Sequence, residues 1–157
     1  MEFVDVVVVG AGPCGLAAAI SVMRAGMTVA VIDKGPVCNT IVHYPTYATF
    51  FSTAEKLSIG GLPFILHETK PGRKDALAYY RGAVRHFGIP VRQFETVVAI
   101  EGKAPQLVVR SVRRSGVARA SPERRTLRTT SCGACPSIAT TVSNCLTGMP
   151  KCLTAPR

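Results

Sequence analysis

An α/β fold built on a parallel sheet follows from three observations at the start of this 157-residue chain. Residues 3–9, FVDVVVV, are apolar at nearly every position and mostly β-branched, as a strand buried on both faces must be. Gly10, Gly12 and Gly15 break that run, and small helix-forming residues follow from Leu16 to Ala25. Residues 28–32, TVAVI, make a second strand, which Asp33 ends. Strand, helix and strand occupy about the thirty residues of a βαβ unit.

Gly26 stands where a C-terminal cap of the first helix belongs. Residues 36–71 show no sustained period and are rich in Pro, Thr, Gly and aromatics, which predicts a long ordered loop. Tyr44, Tyr47, Phe50, Phe51 and Phe64 supply apolar area that plain packing should bury. Loops of this length in compact domains usually carry function. Residues 73–87 return to helical spacing, with Ala76, Leu77, Tyr80, Val84 and Phe87 on one stripe and Arg73, Lys74, Arg81 and Arg85 on the remaining face; Gly88 stops the helix. Residues 90–100 and 106–110 read as strands around a Gly-Lys-Ala-Pro turn, the first supplying a third parallel strand and the pair opening a β-meander.

After Arg110 neither period is visible. The net charge of +10 divides unevenly, +3 over residues 1–110 and +7 over residues 111–157, and every aromatic lies at or before Phe94. The chain is therefore divided into the N-terminal part of a nucleotide-binding domain (1–110) and a low-complexity basic tail (111–157). The tail reads either as disordered or as translation out of frame, since Arg, Ala, Pro, Ser, Thr, Gly and Cys are what GC-rich DNA gives in the wrong register. No run approaches the roughly 18 apolar residues that span a bilayer. Glu2 and Asp5 precede the apolar run where a secretory signal would carry positive charge, so a cytoplasmic location is expected.

The glycine turn carries the chemistry. In Gly10-x-Gly12-x-x-Gly15, between a strand and a helix, the first glycine permits the tight turn and the second lets the backbone approach a pyrophosphate. The third lets helix and strand pack closely, and the helix N-terminus favours the phosphate charge. Asp33, 18 residues after Gly15, can accept hydrogen bonds from a ribose diol. Its carboxylate repels a 2′-phosphate, which disfavours NADP at this site although Lys34 follows; NAD and FAD both remain open. The fold class is thus a Rossmann-like α/β dinucleotide-binding domain with an irregular C-terminal tail, which the family resemblance given by the motifs below implies to be a three-layer FAD/NAD(P)-binding domain, incomplete in this chain.

Two readings of Cys14 stand side by side: a thiolate stabilised at a helix N-terminus, or a small apolar filler in a crowded turn. Cys132-x-x-Cys135 with Cys145 and Cys152 has the ligand count of a zinc site but not the spacing of a common ribbon or finger, and adventitious cysteines are the plainer account.

The stretches VVVVGAGPCGLAAAI, VIDKGPVCNTIVHYPTYATFFSTAEKLSIGGLPF and KPGRKDALAYYRGAVRHFGIPVR resemble the opening of the bacillithiol disulfide reductases, thioredoxin-reductase-like flavoproteins, over about residues 3–110. GAGPCG and HYPTY.TFFST..KL.IGG.PF are far more specific than the glycine pattern alone. The resemblance implies that the first glycine motif binds FAD, that a separate domain binds NADPH, and that electrons pass to a low-molecular-weight disulfide. It implies further that Gly10, Gly12, Pro13, Gly15 and Asp33 hold the ADP half of FAD with Lys34 near the ribose. His43 and Thr46, with Tyr44, Pro45 and residues 50–53, would line the loop beside the cofactor, and Cys14 would be the redox cysteine. No second GxGxxG or GxGxxA occurs, so no nicotinamide site is readable. Two hypotheses result: the N-terminal fragment of an FAD-dependent pyridine nucleotide disulfide oxidoreductase, inactive alone, or a nucleotide-binding module whose basic tail engages nucleic acid or another acidic partner.

Overall fold

The computed structural model describes residues 2–103, 106–113 and 123–129. Its elements in chain order are β1 (Glu2–Val4), β2 (Val6–Val9), α1 (Pro13–Arg24), β3 (Val29–Ile32), α2 (Asn39–Val42), α3 (Ala54–Leu57), α4 (Arg73–Phe87), β4 (Val91–Arg92), β5 (Glu95–Lys103), β6 (Gln106–Arg113) and β7 (Glu123–Thr129). They form a parallel sheet in the order β2-β3-β4 and a second, four-stranded sheet in the order β1-β7-β6-β5.

β3 shows why the molecule has three layers. All four of its residues are buried, and its side chains alternate between two cores. Val29 and Val31 join Leu16, Ala19 and Ile20 of α1 and Ala76, Tyr80 and Ala83 of α4 on the helical face. Ala30 and Ile32 pack with Val4, Val109 and Leu127 against the four-stranded sheet on the other. The helix predicted over 73–87 spans those residues, and Gly88 ends it with φ 64. β4 pairs in parallel with β3, and β5, β6 and β7 form the antiparallel meander.

Four expectations are corrected. The run FVDVVVV is two strands, because Asp5 leaves the ladder: its carboxylate accepts from the Thr28 N–H (2.8 Å) and hydroxyl (2.7 Å), while its own N–H donates to Thr28 Oγ1 (2.9 Å). β1 thereby crosses to the other sheet and pairs in parallel with β7. The strand expected over 90–100 is interrupted at Gln93 and Phe94, where Phe94 takes φ 60. Arg73 does not merely decorate α4: its guanidinium donates to the Val42 carbonyl (2.8 Å) and its N–H to that of Ala48 (2.9 Å), tying the long loop to the helix start. Regular structure also continues past Arg110, since β6 runs to Arg113 and β7 lies wholly beyond it. β7 escapes a periodicity search because Leu127 alone of its residues is fully buried.

The loop aromatics divide. Phe64 is buried and stacks on Tyr79 at 4.1 Å, and Phe50 is half-buried beside Tyr44. Tyr47 and Phe51, both 96% exposed, are covered by no described residue, contrary to plain packing. Cys132, Cys135, Cys145 and Cys152, and with them the zinc reading, lie outside the described residues, as does most of the basic tail. Among the described residues no helix is long and apolar enough to cross a membrane.

Candidate functional site

The glycine turn joins β2 to α1 at the end of the parallel sheet, and its three glycines are glycines for different reasons. Gly10 has φ 105, a conformation that side chains rarely adopt, and its N–H donates to the Ile32 carbonyl (2.7 Å), extending the β2–β3 ladder. A Cβ on Gly15 would stand 2.0 Å from the Gly10 carbonyl oxygen, so the close approach of α1 to the turn requires its absence. Gly12 differs from both. Its backbone is extended (φ −79, ψ 176), and a Cβ there would meet nothing within 4 Å. The folded chain does not itself require glycine at position 12; the open space in front of it is a cradle that a side chain would fill.

Gly12 is the N-cap of α1, Pro13 is its first residue, no side chain caps the helix, and its first turn holds no acid. The positive end of the helix dipole thus faces the cradle with no acid in the helix's own first turn to offset it. Leu16 donates to the Gly12 carbonyl (2.9 Å) as the first turn closes. Cys14, in that turn, is exposed.

Asp33 is wired directly to the turn. Its Oδ2 accepts from the Ala11 N–H (2.7 Å) and its Oδ1 from the Gly35 N–H (2.8 Å), while its carbonyl accepts from the Glu95 N–H (2.9 Å). A carboxylate offers about four acceptor positions, so lone pairs remain on both oxygens for a further donor. Lys34 is exposed beside it. His43 is exposed at the end of α2, where its Nδ1 bonds the Asn39 carbonyl (2.8 Å) of its own helix, and Thr46 is exposed in the turn that follows. The structure therefore brings Asp33 and the glycines into one hydrogen-bonded unit. His43 and Thr46 stand on the neighbouring loop.

Sequence reasoning missed Cys38. It is 1% exposed, takes φ 58 at the N-cap of α2, and donates its N–H to the Ala11 carbonyl (2.9 Å), clamping the far side of the turn. Burial pushes its thiol up to about 12, Arg81 opposing and Asp33 reinforcing the shift. No local signal marks this residue, because the constraint comes from Ala11, far back in the sequence. The two cysteines among the described residues thus differ in kind: Cys14 is exposed, whereas Cys38 is a buried neutral thiol.

A family model described as pyridine nucleotide-disulphide oxidoreductase matches residues 7–120. The chain belongs to this family. Among pyridine nucleotide-disulphide oxidoreductases and related proteins, it is 51% identical over 79 residues to bacilliredoxin reductase Bdr of Bacillus subtilis, a match covering 50% of this chain and 24% of that protein. The bacillithiol disulfide reductase Bdr (YpdA) of Bacillus cereus superposes with a TM-score of 0.75 at 39% identity, over 82% of this chain and 38% of that one. The Staphylococcus aureus enzyme of the same name gives 0.71 at 37% identity, over 82% and 36%. A flavin-containing monooxygenase from Stenotrophomonas maltophilia shares the architecture at 26% identity and a TM-score of 0.66, over 82% and 37%. The chain therefore spans about a quarter to two-fifths of the length of these relatives, and what it carries is an incomplete Rossmann-like flavin- and nucleotide-binding fold of the bacillithiol disulfide reductase type. No comparison supports the nucleic-acid alternative.

Proposed function

We propose that this chain is the N-terminal part of an FAD-dependent pyridine nucleotide disulfide oxidoreductase, and that the turn from Gly10 to Gly15 with Asp33 holds the ADP half of FAD. The observation that carries the proposal is Gly12, a glycine whose conformation and surroundings would accept a side chain unless something else must lie there. Gly10 and Gly12 let the backbone approach the pyrophosphate, Pro13 opens the helix without spending a donor, and the N-terminus of α1 supports the negative charge. The free lone pairs of Asp33 accept from the ribose hydroxyls, with Lys34 alongside. His43 and Thr46 border the cofactor from the adjacent loop.

When bound, the flavin supplies two-electron transfer between a nicotinamide and a disulfide. This chain's contribution to such a reaction is binding and orientation, together with the exposed thiol of Cys14 in the first turn of α1, which we assign the redox role toward a low-molecular-weight disulfide of the bacillithiol class. NADPH, the proposed reductant, would be held by the part of a full-length protein that this chain does not span.

The test is FAD binding by the full chain, read from quenching of flavin fluorescence. The wild-type chain should bind FAD, and Gly12→Val should abolish binding by filling the cradle. Unchanged affinity in that variant would sink the assignment.

A further inference from the structure

We propose that Phe94 is the base-stacking residue of this nucleotide site, taking the purine ring beside the ribose held by Asp33. The proposal rests on the assignment of the glycine turn to the ADP half of a dinucleotide.

Among the described residues only Cys38 and Phe94 take positive φ without being glycine. For a bulky side chain that conformation is an outlier, which persists only where the surroundings impose it and which concentrates at ligand sites. Cys38 is accounted for by its burial and its bond to Ala11. Phe94 is not accounted for by packing: its side chain is 51% exposed and it belongs to neither apolar core.

What fixes Phe94 is the Asp33 turn itself. The Phe94 N–H donates to the Gly35 carbonyl (3.4 Å), the next residue's N–H donates to the Asp33 carbonyl (2.9 Å), and the Gln93 side chain accepts from the Val37 N–H (3.3 Å). Glu95, which follows, is anchored by complete burial and by the Ser111 hydroxyl. The strained residue is therefore clamped from both sides against residues 33–37.

The direction of a bound nucleotide follows from the same contacts. With the pyrophosphate at Gly10–Gly12 and the ribose at Asp33, whose Oδ2 lies 2.7 Å from the Ala11 nitrogen, the base continues away from the glycines. The edge it reaches is the one where residues 33–35 meet residues 93–95. An exposed aromatic side chain at that edge is available for stacking on the base, an interaction that any purine satisfies.

The test uses the full chain and two probes, ADP and inorganic pyrophosphate, titrated calorimetrically. Phe94→Gly should weaken ADP binding about tenfold through lost stacking and leave pyrophosphate binding unchanged. It should also raise the melting temperature, because glycine takes φ near 60° without strain. Phe94→Trp should retain ADP affinity. A structural role predicts the opposite pattern: lower stability, with both probes weakened together. Phe94→Gly with wild-type ADP affinity overturns the stacking role. Gly12→Val separates the two levels: if ADP binding survives it, the dinucleotide assignment fails; if it removes ADP binding while Phe94→Gly does not, the stacking role alone fails.

Discussion

Replacing Gly12 and Gly15 separately by alanine should give opposite results in one pair of melting curves. At Gly15 the new Cβ would lie 2.0 Å from a backbone carbonyl oxygen, 3.1 Å from its carbon and 3.4 Å from Val8 Cγ1. The nearest atom is backbone and cannot rotate aside, so α1 and β2 must separate by more than an ångström. That places the cost at the upper end of overpacking penalties, about 3 kcal/mol, and lowers Tm by about 6–12 °C for a chain of this size. At Gly12 the Cβ meets nothing within 4 Å and φ is already −79. Reduced freedom of the unfolded chain favours alanine by about 0.4–1 kcal/mol, whereas alanine is the poorer helix N-cap by a similar amount. The two effects cancel to within about 0.5 kcal/mol, so Tm should move by no more than about 2 °C. Circular dichroism with and without FAD then distinguishes the residues. At a hundredfold excess over Kd, FAD held as proposed would stabilise the wild-type chain by about 2.7 kcal/mol; Gly12→Ala should keep the apo Tm and lose most of this rise. An apo Tm for Gly12→Ala as low as that of Gly15→Ala would show that the fold itself needs glycine at 12, and the cradle argument would fall.

Three further outcomes are expected. Leu127→Ala should destabilise the chain by about 2–5 kcal/mol in urea unfolding, because Leu127 is fully buried between the sheets; no change would mean that β7 is not part of the cooperative fold. Cys38 should contribute a stability fully present below its ordinary 9.0 and lost as pH climbs toward about 12, since the unfolded thiol ionises first and binds fewer protons there. The slope is at most about 1.4 kcal/mol per pH unit. Cys38→Ala should flatten that part of the curve, and in the native wild-type chain only Cys14, of these two, should react with a thiol-specific chromogen at pH 8.

Where the sequence was legible, one residue type at one spacing had one physical meaning. The glycine turn could be read because strand, glycines and helix are local signals, and the Ala11 N–H bond to Asp33 joins it to the acid that ends β3. α4 could be read because its apolar stripe and terminal Gly88 are local signals. The break at Asp5 could not, since it depends on Thr28 twenty-three residues away, and the six apolar residues around it conceal it. β7 was opaque for a related reason: it lies between β1 and β6, its backbone bonds do most of the pairing, and Leu127 is its one fully buried side chain. Around the turn, Cys38 and Phe94 were invisible because left-handed backbone at a non-glycine residue leaves no trace in composition; both contact distant segments of the chain.

The place of β7 also sets the order in which this chain can fold. Glu2 pairs with Leu127, so the ladder of β1 can close only between segments separated by nearly the whole described chain. Pairing over such a separation is slow, and a strand kept waiting presents unpaired N–H and C=O groups to other chains. Removing β7 would leave two such edges, on β1 and on β6, in place of an interior. Cutting the chain back to Arg110 to remove its basic end would therefore create such edges and work against solubility.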